Sequence, residues 1–149
     1  MLWGIDPLLD ADLLYALRSM GHGDEIAIVD TNFPAASTAI TTVTGEPLHM
    51  PGVSAARAVE AVLSVMPLDT FVPDPAGRME VVGDPHAIPP VQREVQQIVD
   101  RAAGKHLPLA GIERFAFYER ASRAFVIVVA GERRFYGDFL FKKGVVPPE

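Results

Sequence analysis

Residues 25–29, EIAIV, put apolar side chains at four consecutive positions. A strand points successive side chains to opposite faces, so one that is apolar on both must be covered on both. That requirement excludes a sheet with one wet face and calls for helices above and below it. The flanks add chemistry. In GHGDEIAIVDTNFP, residues 21–34, a histidine lies at one end of the strand and an aspartate at the other. Pro34 biases Phe33 toward an extended backbone and closes the strand into a loop, TNFPAAS.

Other periodicities supply the covering helices. Leu13, Leu14, Leu17 and Met20 share a face at helical spacing, with Asp10 suited to the N-cap and Gly21 to a left-handed end. Ser54 is expected to cap a second helix, whose Val59, Val62, Leu63 and Met66 share a face until Pro67. A third starts at the last proline of the loop DPHAIPP, carries Val91, Val95, Ile98, Val99 and Ala102, and stops at Gly104. AITTVT (39–44), RMEVV (78–82), IERFAFY (112–118), FVIVVA (125–130) and FYGDFLF (135–141) read as strands. ERASRA forms a short helical link, and the last two strands form a hairpin around GERR. This alternation predicts an α/β fold: a single domain over residues 1–149 with a mixed sheet flanked by helices.

Charge and cysteine content narrow the function. Lys plus Arg is 13 and Asp plus Glu is 19, and the net charge of −6 repels phosphate backbones, so no nucleic-acid partner is expected. The densest basic cluster, Arg133, Arg134, Lys142 and Lys143, fits a solvated strand edge. The chain has no cysteine, which removes disulfides, thiolate metal sites and cysteine nucleophiles. No apolar run approaches the roughly 20 residues of a membrane helix. The first twelve residues carry three aspartates and no basic region, so a cytoplasmic location is expected. Neither GxGxxG nor GxxxxGK[ST] occurs, and nucleotide cofactors are not indicated.

Histidine, carboxylates, tyrosine and hydroxyls remain for chemistry. His22, between Gly21 and Gly23, is either an exposed turn residue or a proton-transfer group that the glycines leave open to a ligand. Asp30 is either a loop cap or a binding carboxylate, because ligands of open α/β sheets gather at carboxyl ends of strands. The two would be about 20 Å apart along one strand, too far for one pocket. Either the preceding loop folds back or a second copy of the chain completes the site. HGD with a later histidine also fits the spacing of a two-histidine, one-carboxylate iron site. His49, His86 and His106 read as surface loop residues. Arg114, placed on the IERFAFY strand, packs its stem along a sheet edge or forks onto hydroxyls. Tyr118 and Tyr136 read as strand residues with polar tips, and Trp3 as an edge cover.

MGHGDEI (20–26), NFPA (32–35), PLDT (67–70), RFAFYERA (114–121), GE (131–132), YG (136–137) and KKGV (142–145) follow one another in an order that spans nearly the whole chain. In these segments the sequence resembles the RbsD/FucU family of sugar pyranases and mutarotases, and within it the L-fucose mutarotase branch. The resemblance implies a three-layer α/β/α fold in rings of identical subunits, a decamer, with a monosaccharide held between neighbours. It implies a cofactor-free, metal-free exchange of sugar anomers, with His22 as proton donor, Tyr136 as a second catalytic group, and Asp30, Arg114, Tyr136, Gly137 and Asp138 as sugar ligands. In the expected reaction His22 protonates the ring oxygen, Tyr136 or Asp30 handles the anomeric proton, and Arg114 fixes hydroxyls. The family usually has asparagine where Asp138 stands, which exchanges a donating amide for a carboxylate. Pyranose–furanose exchange of ribose and non-catalytic sugar binding are the alternative readings.

Overall fold

The computed structural model describes residues 1–148. The chain runs α1 (Ala11–Ser19), β1 (Glu25–Val29), α2 (Ala35–Ala39), β2 (Leu48–Met50), α3 (Ala55–Leu63), β3 (Ala76–Met79), α4 (Pro90–Ala103), β4 (Ala110–Ile112), α5 (Arg114–Ser122), β5 (Val126–Ala130) and β6 (Phe139–Lys142). One six-stranded sheet has the order β2-β5-β1-β6-β3-β4. β6 is antiparallel to both β1 and β3, and the other pairs are parallel.

The two-faced strand is realised as its pattern requires. Ile26 and Ile28 enter a core formed with α1, α3 and α4, while Ala27 and Val29 enter a second core beneath α2 and α5. All four are fully buried. Phe139 and Phe141 join the first core and Leu140 the second, so β6 alternates in step with β1.

Local signals explain where the helices begin. The Asp10 carboxylate accepts from Leu13 N at 2.9 Å, and Ser54 Oγ accepts from Arg57 N at 3.2 Å. Pro90 opens α4, and Gly104 ends it with a left-handed backbone, φ 68°. α1 ends differently from the expectation. Met20 is extended, Asp24 Oδ2 accepts from Gly21 N at 2.7 Å, and the left-handed position falls on Gly23, φ 86°.

Three strand expectations are corrected. Residues 112–118 are not a strand: β4 ends at Ile112 and α5 starts at Arg114. Glu113 caps that helix, its carboxylate accepting from Phe115 N (3.0 Å) and Ala116 N (3.1 Å), which overrides the β preference of the aromatic residues. Residues 39–44 are not a strand: Ala39 ends the short helix α2, which begins in the expected TNFPAAS loop, and 40–44 form turns and bends. There Thr42 Oγ1 donates to Ala39 O at 2.6 Å and Thr41 Oγ1 to Ser122 O at 2.8 Å, so threonine hydroxyls serve backbone groups that a ladder would have paired. The strand expected at 78–82 begins earlier and stops at Met79.

The terminal hairpin does not form, because β1 lies between β5 and β6. The segment 131–138 instead crosses the carboxyl end of β1, where Thr31 N donates to Glu132 O at 2.9 Å. Edge strands β2 and β4, three residues each, had no periodic signal to show them. His49 therefore lies on β2 rather than in a loop, although it is exposed as expected, and so are His86 and His106.

Candidate active site

The crossing of 131–138 over β1 builds the site. Asp30, the residue after β1, meets Tyr136, Gly137 and Asp138 from the crossing segment and Arg114 and Tyr118 from α5. Among them lies a cavity of about 250 Å³, also lined by Asn32, Phe33 and Met79. Arg114 reaches it from the first turn of a helix rather than from a strand. Its Nε donates to Tyr118 Oη at 3.1 Å, and its guanidinium lies 5.4 Å and 5.5 Å from the Phe115 and Tyr118 ring centroids. Tyr118 is thus a helical residue at the cavity wall.

Tyr136 has φ 63°, the only positive φ outside glycine among the described residues. Such a backbone costs an ordinary side chain about 1–2 kcal/mol and needs outside support. Gln92 provides it from the first turn of α4, donating through Nε2 to Tyr136 O at 3.1 Å and to Met79 O at 2.8 Å. Val82 N donates to Tyr136 Oη at 3.2 Å. At Gly137 a Cβ would stand 2.8 Å from Glu132 Cγ and 3.4 Å from Asp30 Cβ, so only glycine lets the segment close on the aspartate.

Three carboxyl groups crowd this end of the sheet. Asp30 and Asp138 are 3% and 4% exposed, and Asp30 N donates to Asp138 Oδ1 at 3.0 Å. Burial pushes the Asp30 carboxyl up, against N–H donation from Asn32, Gly137 and Phe33. Burial and the adjacent Asp30 charge push Asp138 up to about 7. Glu132 goes the other way: its bonds to Arg134 hold it down at about 2. Arg134 in turn forks onto Glu94 with two 2.8 Å bonds, and Lys143 Nζ donates to Leu17 O and Met20 O at 2.7 Å and 2.6 Å. Two members of the supposed basic patch are therefore structural anchors.

His22 is at the opposite end of β1. Its Nε2 is 3.0 Å from Asp69 Oδ1, its ring centroid is 5.3 Å from that of Phe71, and its side chain is 46% exposed. Asp69 also accepts from Phe71 N, and this bond, followed by the one from His22, keeps its carboxyl below the usual range. The preceding loop does not fold back along the strand, so Asp30, Arg114, Tyr136, Gly137 and Asp138 come together in one chain and His22 does not join them. Sequence reasoning gave no role to Asp69, Tyr118, Gln92 or Glu132. Gln92 had a visible signal, a polar residue beside Val91 and in line with Val95 on the buried side of α4. Among the described residues no group of three or more His, Asp or Glu side chains is placed to hold a metal, and no helix is long and apolar enough to cross a membrane.

A mixed sheet covered on both sides, with an aspartate–arginine–tyrosine cavity at the strand ends, defines an α/β protein whose cavity can hold a small polyhydroxylated molecule. The chain belongs to the RbsD / FucU transport protein family, whose model matches residues 3–146. It is 43% identical to the fucose mutarotase of Bos taurus over 152 residues, covering 100% of this chain and 97% of that one. The crystal structure of protein Atu2016 is similar with TM-score 0.96 and 58% identity, covering 99% of this chain and 97% of that one. A fucose mutarotase from Streptococcus pneumoniae, in complex with L-fucose, is similar with TM-score 0.86 and 35% identity, covering 98% of this chain and 100% of that one.

Proposed function

We propose that this protein is a cofactor-free mutarotase that exchanges the α and β anomers of L-fucose or a closely related sugar in the cytoplasm. The observation that carries the reading is the division of the acid–base inventory. The hydroxyl-binding groups Asp30, Arg114, Tyr136 and Asp138 face one cavity, while the His22–Asp69 pair lies at the other end of β1. A working site then takes the cavity from one subunit and the histidine from its neighbour. Exposed aromatic residues rim both halves, Phe71 (72% exposed) beside His22 and Phe115 (68%) and Phe135 (72%) at the cavity mouth, which supports a neighbour covering them. A closed ring assembly, a decamer, repeats that junction for every subunit.

The chemistry needs only proton transfers. The anomeric O–H gives up its proton as its oxygen becomes an aldehyde carbonyl; the ring C–O bond breaks and the ring oxygen takes a proton. Rotation about the C1–C2 bond followed by the reverse steps yields the other anomer. His22, held by Asp69, delivers the proton to the ring oxygen; Tyr136 or Asp30 receives the anomeric proton; Arg114 forks onto ring hydroxyls. Gly137 contributes its close backbone approach.

Saturation-transfer NMR across reducing sugars tests the activity. Transfer between the anomer signals of L-fucose is the expected result; pyranose-to-furanose transfer on ribose, or broadening with no transfer, would replace the reading with ribose exchange or simple binding. Mixing tests the shared site. An inactive His22→Ala protein reassembled with an inactive Arg114→Ala protein should regain roughly a quarter of the exchange rate, since random mixing restores that fraction of junctions. No recovery after subunit exchange would return both halves to one chain.

A further inference from the structure

Asp30 and Asp138 form a buried carboxyl pair with no countercharge of their own. Neither takes part in an ion pair among the described residues, whereas neighbouring Glu132 already has Arg134. Asp138 spends Oδ1 on the Asp30 N–H, and its other oxygen has no partner among the described residues, although the side chain lines the cavity. Asp30 is the better solvated of the two in hydrogen-bond terms. Its Oδ1 accepts from Asn32 N at 2.8 Å, and the N–H of Gly137 also points to its carboxyl. Two adjacent buried carboxyl groups repel each other when both are ionised, so until the pH is high enough to force the second ionisation the better-solvated one keeps the charge and the other keeps a proton.

We propose that Asp30 and Asp138 share one proton, held on the cavity-facing oxygen of Asp138, and that this neutral acid donates a hydrogen bond to an oxygen of the bound sugar. The inference rests on the sugar reading of the cavity for its second half only. A protonated aspartic acid presents both an acceptor oxygen and a donor. The acceptor serves the Asp30 N–H and the donor serves the ligand. Burial and the Asp30 charge, which push Asp138 up to about 7, make the donor present in weak acid and absent in weak base. The other charged or titratable groups around the pair are Glu132 and Tyr136 on the crossing segment and Arg114 and Tyr118 on α5. From β3 the contact is the uncharged Met79 N–H, which donates to Asp138 O, while Arg78 turns to Gln92 and Pro85.

The test pairs spectroscopy with kinetics on the wild type and Asp138→Asn, both checked for folding by thermal melting. Infrared difference spectra should show the carbonyl stretch of a protonated carboxyl in the wild type at pH 6, titrating away near neutrality and missing from Asp138→Asn. The ratio of wild-type to variant kcat/KM for anomer exchange should fall about tenfold per pH unit above the Asp138 transition, because every other group is common to both proteins and cancels in the ratio. A wild-type spectrum without that band overturns the shared proton whatever the sugar result. The band with parallel pH profiles overturns the donation. The band with no sugar exchanged or bound by either protein rejects the sugar reading, and the donation with it, but leaves the shared proton standing.

Discussion

Gln92 Nε2 lies 3.1 Å from the carbonyl oxygen of Tyr136, tying the first turn of α4 to the one non-glycine residue with a left-handed backbone among those described. The same nitrogen serves Met79 O, and Oε1 accepts from Arg78 Nη1 at 3.2 Å. One fully buried amide therefore fixes the crossing segment against β3 and sets the direction in which Tyr136 faces the cavity.

Replacing Gln92 with leucine keeps the bulk but leaves the buried Met79 carbonyl and the part-buried Tyr136 carbonyl without this donor. We expect a loss of about 2–4 kcal/mol in urea unfolding, with KM for the sugar rising more than kcat falls. Unfolding unchanged within about 0.5 kcal/mol would mean that Gln92 is not the clamp.

His22→Ala should melt as the wild type does, since the ring is 46% exposed, and should reduce anomer exchange by about 10²–10⁴-fold. Asp69→Asn retains an acceptor but loses the charge that orients the imidazole, so a smaller loss, about tenfold or more, is expected in kcat. Saturation transfer on both variants measures these effects; wild-type rates in His22→Ala would remove the proposed proton donor.

Gly137→Ala forces a methyl to 2.8 Å from Glu132 Cγ. The contact is between side-chain atoms, so the segment shifts rather than unfolds, at a cost of about 1–3 kcal/mol, and the space beside Asp30 widens. Sugar affinity by calorimetry should fall at least tenfold; an unchanged Kd would show that the Asp30–Gly137 approach is not used by the ligand.

Acid should destabilise the fold through Glu132. Its carboxyl is held at about 2 against an ordinary value of 4.5, so the stabilisation is complete above pH 4.5 and is lost as pH falls toward 2. The side chain is 4% exposed, but its partner Arg134 is 43% exposed, and after discounting for solvent screening about 2 kcal/mol is expected. Comparing the pH dependence of unfolding in the wild type and Glu132→Gln between pH 5 and pH 2.5 measures it: the variant should show the shallower acid slope, and equal slopes would assign the acid sensitivity elsewhere.

The sequence carried what is local. The apolar run at 25–29 demanded cover on both faces, and the Asp10, Ser54, Pro90 and Gly104 signals placed three helices, because caps and periodicity act within a turn or two of the residues that encode them. Asp30 was legible as a strand-end residue, and the order of motifs pointed to the family and, through that resemblance, to Arg114, Tyr136, Gly137 and Asp138, but not to Tyr118 or Met79. The expectation failed where long-range contacts decided. Arg114 reads as a strand residue from its aromatic neighbours, yet Glu113 caps α5, and the last strands read as a hairpin because strands adjacent in sequence commonly pair.

The pattern of buried and exposed positions, the helix ends and the kinds of chemistry open to a chain without cysteine were thus set by residues acting on their near neighbours. Only the tertiary structure could insert β1 between β5 and β6, draw 131–138 across its end, and set Asp138 against Asp30 and Gln92 against Tyr136. Those relationships join positions far apart in the chain, 108 residues for Asp30 and Asp138, and their energies come from burial and charge that exist only once the sheet has assembled.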